Sequence, residues 1–184
     1  MMLACVSWAR YLDLGGGRYE LMPIDFIYAL DGDVSPSIFF SKTDGVVTVD
    51  LGSNPATGLS YSLFCALAPC VVPTGAMEYS FWIADYDPDT NHSDRIWHGS
   101  DTKHLIQGDY RPFVLYLVCE GLRVLVDRFR PQCVFIQTMS PNLPDKALAK
   151  YYQLGQVLTE SGYQFGRVDP YHGYEAWLAK RKEQ

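Results

Sequence analysis

The sequence predicts an α+β domain: a mixed, mostly antiparallel sheet of about six or seven strands, with two helices from the C-terminal half packed on it. Three observations predict it. Short β-rich runs and a hairpin signal fill the N-terminal half. Two stretches of helical period stand in the C-terminal half, and a short apolar run follows each of them. A chain of 184 residues suits one domain over 1–184, with a core large enough to need no disulfide or metal staple.

The elements follow in order. Arg18 to Met22 reads as a strand. Ser37 to Lys42 and Val46 to Leu51 flank Thr43-Asp44-Gly45, and an Asp-Gly between two β-rich runs signals a hairpin. Tyr61 to Val72 is apolar and leaves helix and strand both open. Met77 to Tyr86 alternates and reads as a strand. Asp87 to Ser100 is polar and reads as a loop.

The C-terminal half is clearer. Asp109 is placed to cap a helix with Pro112 in its first turn. Phe113, Val114, Leu117, Val118, Leu122, Val124, Leu125 and Phe129 recur at helical spacing, and the wide apolar face predicts packing on more than one side. Pro131 stops that helix. Cys133 to Thr138 is continuously apolar, as a buried central strand is. A second helix starts near Pro144 and Asp145 and carries Ala147, Leu148, Tyr151, Tyr152, Leu154 and Leu158 as its stripe. Gly162 suits the left-handed position that closes a helix. Tyr163 to Val168 and Tyr174 to Ala179 read as strands around a turn from Asp169 to Gly173.

Composition excludes several classes. Apolar residues are 48% and charged residues 20%, which marks a globular chain. The net charge of −6 argues against general nucleic-acid binding, which needs a basic face. No apolar run approaches the roughly 20 residues that span a membrane. Cys5, Cys65, Cys70, Cys119 and Cys133 are odd in number and sit mostly in apolar runs, so reduced thiols and a cytoplasmic location are expected. Leu3-Ala4-Cys5 resembles the end of a lipoprotein signal but lacks its charged start and long apolar stretch.

Motifs with chemical potential are few. Asp85, Asp87, Asp89 and Asn91 alternate like calcium-loop ligands, yet Thr90 and Ile96 stand where the glycine and the bidentate glutamate belong. A solvated acidic loop is expected instead. His92, His98 and His104 are evenly spaced, and convergence of the three on a metal is left open; no metal site is assigned. Asp169-Pro170-Tyr171-His172-Gly173-Tyr174 is read as a hairpin turn. Gly-x-Ser-x-Gly, Walker and His-Glu-x-x-His motifs are absent.

Two resemblances bear on function. Leu12-Asp13-Leu14-Gly15-Gly16-Gly17 resembles the first glycine-rich loop of S-adenosylmethionine methyltransferases, but Tyr19 replaces its third glycine and Pro23 falls where a helix should run. The segment from Asp109 onward resembles the C-terminal half of the Gcn5-related N-acetyltransferase fold. It carries the long helix from Pro112, the strand Cys133 to Thr138, the helix Lys146 to Ser161, Gly162-Tyr163 and a closing strand ending Glu175-Ala176-Trp177-Leu178. It also looks like divergent acetyltransferase-like proteins of phages and plasmids.

The resemblance implies a site for acetyl-coenzyme A at the start of the long helix, where backbone N–H groups and the helix terminus bind pyrophosphate. Here that place reads Gly108-Asp109-Tyr110-Arg111-Pro112, with one glycine, an acid and a proline. The family's acid, a tyrosine shortly before the Gly-aromatic pair, corresponds to Leu158, with Tyr151 and Tyr152 a turn or two earlier. The leading expectation is therefore a non-enzymatic binding or interaction protein on a degenerate acetyltransferase-like fold, of the kind a mobile genetic element carries. Its partner would be a protein or a small molecule, and a homodimer face or an exposed aromatic patch would mark it. The alternative is an acyl-coenzyme A-dependent N-acyltransferase in which Arg111 contacts phosphate and Tyr151 or Tyr152 is the catalytic acid. A methyltransferase is the third reading.

Overall fold

The Asp44-Gly45 signal forms a hairpin between β1 (Ser37–Phe40) and β2 (Gly45–Ser53). The Ser41 hydroxyl accepts hydrogen bonds from the N–H groups of Thr43 and Asp44, at 3.1 and 3.0 Å, and so holds the turn. A computed structural model describes residues 36–71, 73–96, 102, 105–106, 108–138, 140–171 and 173–183. The strand expected at Arg18 to Met22 and the Gly15 to Gly17 turn lie outside the described residues.

Among the described residues the sheet continues through β3 (Ser60–Pro69), β4 (Met77–Tyr86), β5 (Arg95–Ile96), β6 (Cys133–Gln137), β7 (Tyr163–Tyr171) and β8 (Tyr174–Arg181). Two long helices, α1 (Arg111–Phe129) and α2 (Asp145–Glu160), alternate with the later strands. The class is α+β, as the sequence predicts. The strand order is β1-β2-β3-β4-β6-β8-β7, with β5 beside β4. Every pairing is antiparallel except β4 with β6.

Three expectations need correction, and one open reading is resolved. Among the described residues the sheet has eight strands, where about six or seven are expected. The ambiguous run from Tyr61 resolves as β3, because period-2 burial matches both neighbouring strands. The polar stretch after Tyr86 is not simply a loop: Asp87 bridges to His92, and Arg95–Ile96 pairs back on Ala84 and Ile83. Finally, β7 runs on to Tyr171, with a register shift between Val168 and Tyr171, where a turn is expected from Asp169.

The helices start and stop for identifiable reasons. A 3-10 turn at Gly108–Tyr110 leads into α1, Tyr110 stands at its N-cap without a side-chain capping bond, and Pro112 lies in its first turn. Arg130 takes a left-handed backbone with φ 46° just before Pro131, and Gly162 does the same after α2 with φ 88°.

From β4 to β6, and from β6 to β7, the chain crosses over in the same direction along the sheet. Two right-handed crossovers in one direction place both helices on one face. The contacts agree: the Tyr79 hydroxyl on β4 donates to the Val118 carbonyl of α1 at 2.6 Å, and Tyr151 of α2 stacks on Trp177 of β8. The core lies between this face and the helices, with Val47, Leu63, Leu67, Tyr79, Leu122, Leu125, Val134, Leu154, Leu158 and Trp177 buried.

Close approach of helix and sheet depends on two glycines. A Cβ at Gly121 of α1 would lie 2.7 Å from the Cys65 sulfur of β3, and one at Gly155 of α2 would overlap the Phe165 ring of β7.

Candidate functional site

Two ladders claim the same edge of β4. Its first residues pair with β6, Met77 with Val134 and Glu78 with Phe135. Its later ones pair with β5, Ile83 with Ile96 and Ala84 with Arg95. Between them β4 and β6 part, and residues 79–82 face neither strand. The site is built where they part.

Strand alternation turns Phe81 toward the helices, in the same row as Tyr79 and Ile83. The Phe81 ring meets Tyr151 of α2 at a centroid distance of 6.5 Å. Tyr151 in turn lies flat on Trp177, with centroids 4.6 Å apart and planes 8° apart. Tyr152 meets the same indole edge-on, at 6.4 Å and 81°. Lys150 precedes these tyrosines, and its Nζ stands 5.3 Å from the Phe81 centroid and 5.2 Å from that of Tyr151. The ring faces carry partial negative charge and attract the ammonium.

Burial governs the electrostatics here. It pushes the Lys150 ammonium below the ordinary lysine value and the Tyr151 phenol well above the ordinary tyrosine value. Glu78, on the seam with β6, is raised by burial as well. The ion pairs among the described residues are His92–Asp94, Arg123–Glu120, Arg123–Glu160 and Arg167–Glu175. None of them neutralises Lys150. Trp177 is fully buried, and its indole Nε1–H has no acceptor among the described residues.

The sequence-based candidates divide around this cluster. Tyr151 and Tyr152 both belong to it but in different states: Tyr151 is 3% exposed and Tyr152 54%. A general acid must reach its substrate, and Tyr152 is the accessible one of the two. Arg111 sits at the start of α1, where its Nε donates to the Ile106 carbonyl at 3.2 Å. It lines an open groove of about 350 Å³ together with Gly108, Pro112, Leu115 and Gln153. Gln153 is the residue that α2 contributes to this groove.

The alternating acids serve the β4–β5 hairpin. Asp87 accepts from the Asp89 N–H at 2.9 Å and the Thr90 hydroxyl at 2.7 Å, bonds that hold its carboxyl below the usual range. Asp85 accepts from the Asp94 N–H at 2.9 Å. His92 lies 3.3 Å from Asp94 in solvent, while His98 and His104 lie outside the described residues. Cys65, Cys119 and Cys133 are free thiols. Cys65 is packed against Gly121, and burial pushes its thiol up to about 12.

Lys150, Phe81 and Trp177 escape sequence reasoning. Lys150 follows Ala147 by three residues and precedes Leu154 by four, so helical spacing puts it on the margin of the apolar stripe. That is the one signal the sequence offers. Elsewhere, Ile38, Phe39 and Phe40 are exposed on β1, which ends the strand order of the described sheet. No described helix is long and apolar enough to cross a membrane.

Comparison with protein-family models, with curated proteins and with solved structures finds no match to this chain.

Proposed function

We propose that this chain is a non-enzymatic binding protein built on an acetyltransferase-like sheet. The acetyltransferase-like part of the reading draws support from the element order and from the parting of β4 and β6, a parallel pair joined at two positions among the described residues. An acyl-coenzyme A enzyme of this fold is expected to leave a cleft between its central strands, open at the start of the long helix.

The observation that carries the binding reading is the edge of β4 beyond the seam. Ile83 and Ala84 pair with β5, the Asp85 N–H donates to the Asp94 carbonyl at 3.0 Å, and the Asp87 N–H donates to the His92 carbonyl at 2.8 Å. An extended ligand laid along that edge would have to compete with main-chain bonds the protein already makes to itself. At the start of α1, Pro112 lacks an N–H to offer phosphate, and the Arg111 Nε is engaged by the Ile106 carbonyl.

The test is thermal unfolding of the full chain with acetyl-coenzyme A, with S-adenosylmethionine, and with neither. A ligand that binds only the folded state at a hundred-fold excess over its Kd adds about 2.7 kcal/mol, or several degrees for a chain of this size. The binding reading expects no shift from either cofactor. A shift with acetyl-coenzyme A alone, reduced by Arg111→Ala, would replace it with an N-acyltransferase in which the exposed Tyr152 is the better acid. A shift with S-adenosylmethionine alone would favour a methyltransferase.

A further inference from the structure

The described sheet ends on β1 at one side and on β7 at the other, and the two edges are built differently. The β7 edge is guarded. Arg167 and Asp169 put charges on it, Pro170 lacks a ladder donor, and the register shifts between Val168 and Tyr171. β1 has none of these guards in Ser37–Phe40. It carries instead three exposed apolar side chains, Ile38, Phe39 and Phe40, with Phe39 at 66%. An uncharged apolar edge is a template for another strand.

Register decides which strand it fits. The Ser41 N–H donates to the Asp44 carbonyl at 2.8 Å, and antiparallel pairs alternate between bonded and non-bonded. Ser37 and Phe39, opposite Thr48 and Val46, therefore turn their main-chain groups toward β2, whereas Ile38 and Phe40 turn theirs outward. No described strand meets them. A second β1 laid antiparallel, with Phe39 facing its own symmetry mate, sets Ile38 against the partner's Phe40, and Phe40 against the partner's Ile38. Each of these two pairs exchanges two main-chain bonds, so every outward group of Ile38 and Phe40 is used. The faces agree as well: Ile38 and Phe40 lie on the helix side with Val47, and Phe39 lies on the other. A centre on Ile38 would set Phe40 against Pro36, which has no N–H, and a centre on Phe40 would set Ile38 against the charged Lys42.

We propose that β1 is a self-association edge, at which two copies of this chain join their sheets antiparallel across a two-fold axis through Phe39. Charge permits it, because Ser37 to Ser41 carries none in a chain of net charge −6. The end of α1 backs the seam: Phe40 meets Phe129 edge-on at 5.6 Å, and the Arg128 guanidinium stands 5.3 Å over the Phe40 ring. The Arg111 groove lies at the other end of α1, so the inference goes beyond the binding reading and does not rest on it. An edge ladder is a small interface, and a transient dimer is expected, forming between micromolar and millimolar protein.

The test is sedimentation velocity of the full chain across that range. The unchanged protein is expected to pass from monomer to dimer. Phe39→Lys and Phe39→Glu each set like charges face to face and should weaken self-association at least about ten-fold. Circular dichroism should stay native, since Phe39 is the most exposed of the three. An equal mixture of the two variants should dimerise again, because in this register position 39 faces only position 39 of the partner. A monomer throughout for the unchanged protein, association untouched by either variant, or a mixture that stays monomeric would each overturn the proposal. Should the variants fold poorly, amide exchange on the unchanged protein decides. The Ile38 and Phe40 N–H groups should gain protection only as concentration rises; protection already present in the dilute monomer would mean that the chain covers this edge itself, and would overturn the proposal.

Discussion

The Tyr79 hydroxyl donates to the main-chain carbonyl of Val118 at 2.6 Å, tying the middle of the sheet to the middle of α1. Both residues are buried, and burial raises the Tyr79 phenol well above its ordinary value, so this group stays a donor at any practical pH. Tyr79→Phe keeps the ring and removes the bond. A loss of about 1 kcal/mol is expected in denaturant unfolding, with an unchanged m value.

At Gly155 two effects oppose each other. Alanine favours a helix over glycine by about 1 kcal/mol, but its Cβ would overlap the Phe165 ring. Gly155→Ala is expected to destabilise by roughly 1–2 kcal/mol, because an aromatic ring packed between sheet and helix cannot simply swing away. In a Phe165→Leu background the same change should turn neutral or stabilising. A double-mutant cycle that showed simple additivity would refute the contact.

Lys150 gives stability a distinctive pH dependence. Its folded value lies below the unfolded one, so between the two the unfolded chain binds more protons. Stability contributed by this site therefore rises with pH, starting at the folded value and ending near 10.5, the ordinary lysine value. Lys150→Met should remove that rise, read as a flatter unfolding free energy between neutral and alkaline pH.

Glu78 works in the opposite direction. Burial raises its folded value, so just above pH 4.5, its ordinary value, the folded chain holds the extra proton. Stability from this site is fully present below that pH and is lost as pH rises through the folded value. Glu78→Gln should match the unchanged protein in acid and exceed it at neutral pH in thermal unfolding. A gain of equal size at both pH values would show that charge burial is not the cause.

Much of the fold is legible in the sequence because its signals are local. Met77 to Tyr86 is recovered end to end from alternation, the first hairpin from Asp44-Gly45, and α1 from its period and Pro112. The β4–β5 hairpin is not, since it is held by main-chain bonds and by Asp87 on Asp89 and Thr90, with mostly exposed polar side chains. No apolar alternation marks such a strand. Pro170 disguises the end of β7 in the same way: a proline donates no ladder bond and reads as a turn, yet β7 ends the strand order and an edge tolerates it.

The candidate site is harder still to read. Tyr151 and Tyr152 are singled out by type, but what separates them is burial, which Trp177 of β8 and Phe81 of β4 help to create. Lys150 sits in a helix where a lysine ordinarily means solvent. Its surroundings come from strands on either side of it in sequence, 69 residues before for Phe81 and 27 after for Trp177 by their numbering. Contacts of that span carry no local pattern.

The thiol of Cys65 stands behind Gly121, with no room between helix and strand for even a methyl group. An alkylating reagent is far larger, and a thiol raised to about 12 offers almost no thiolate at neutral pH. Modification of Cys65 must then wait until α1 lifts from the sheet, whereas the half-buried Cys119 and Cys133 need no such event. The chain thus contains its own clock: the slow phase of thiol labelling counts how often α1 lets go.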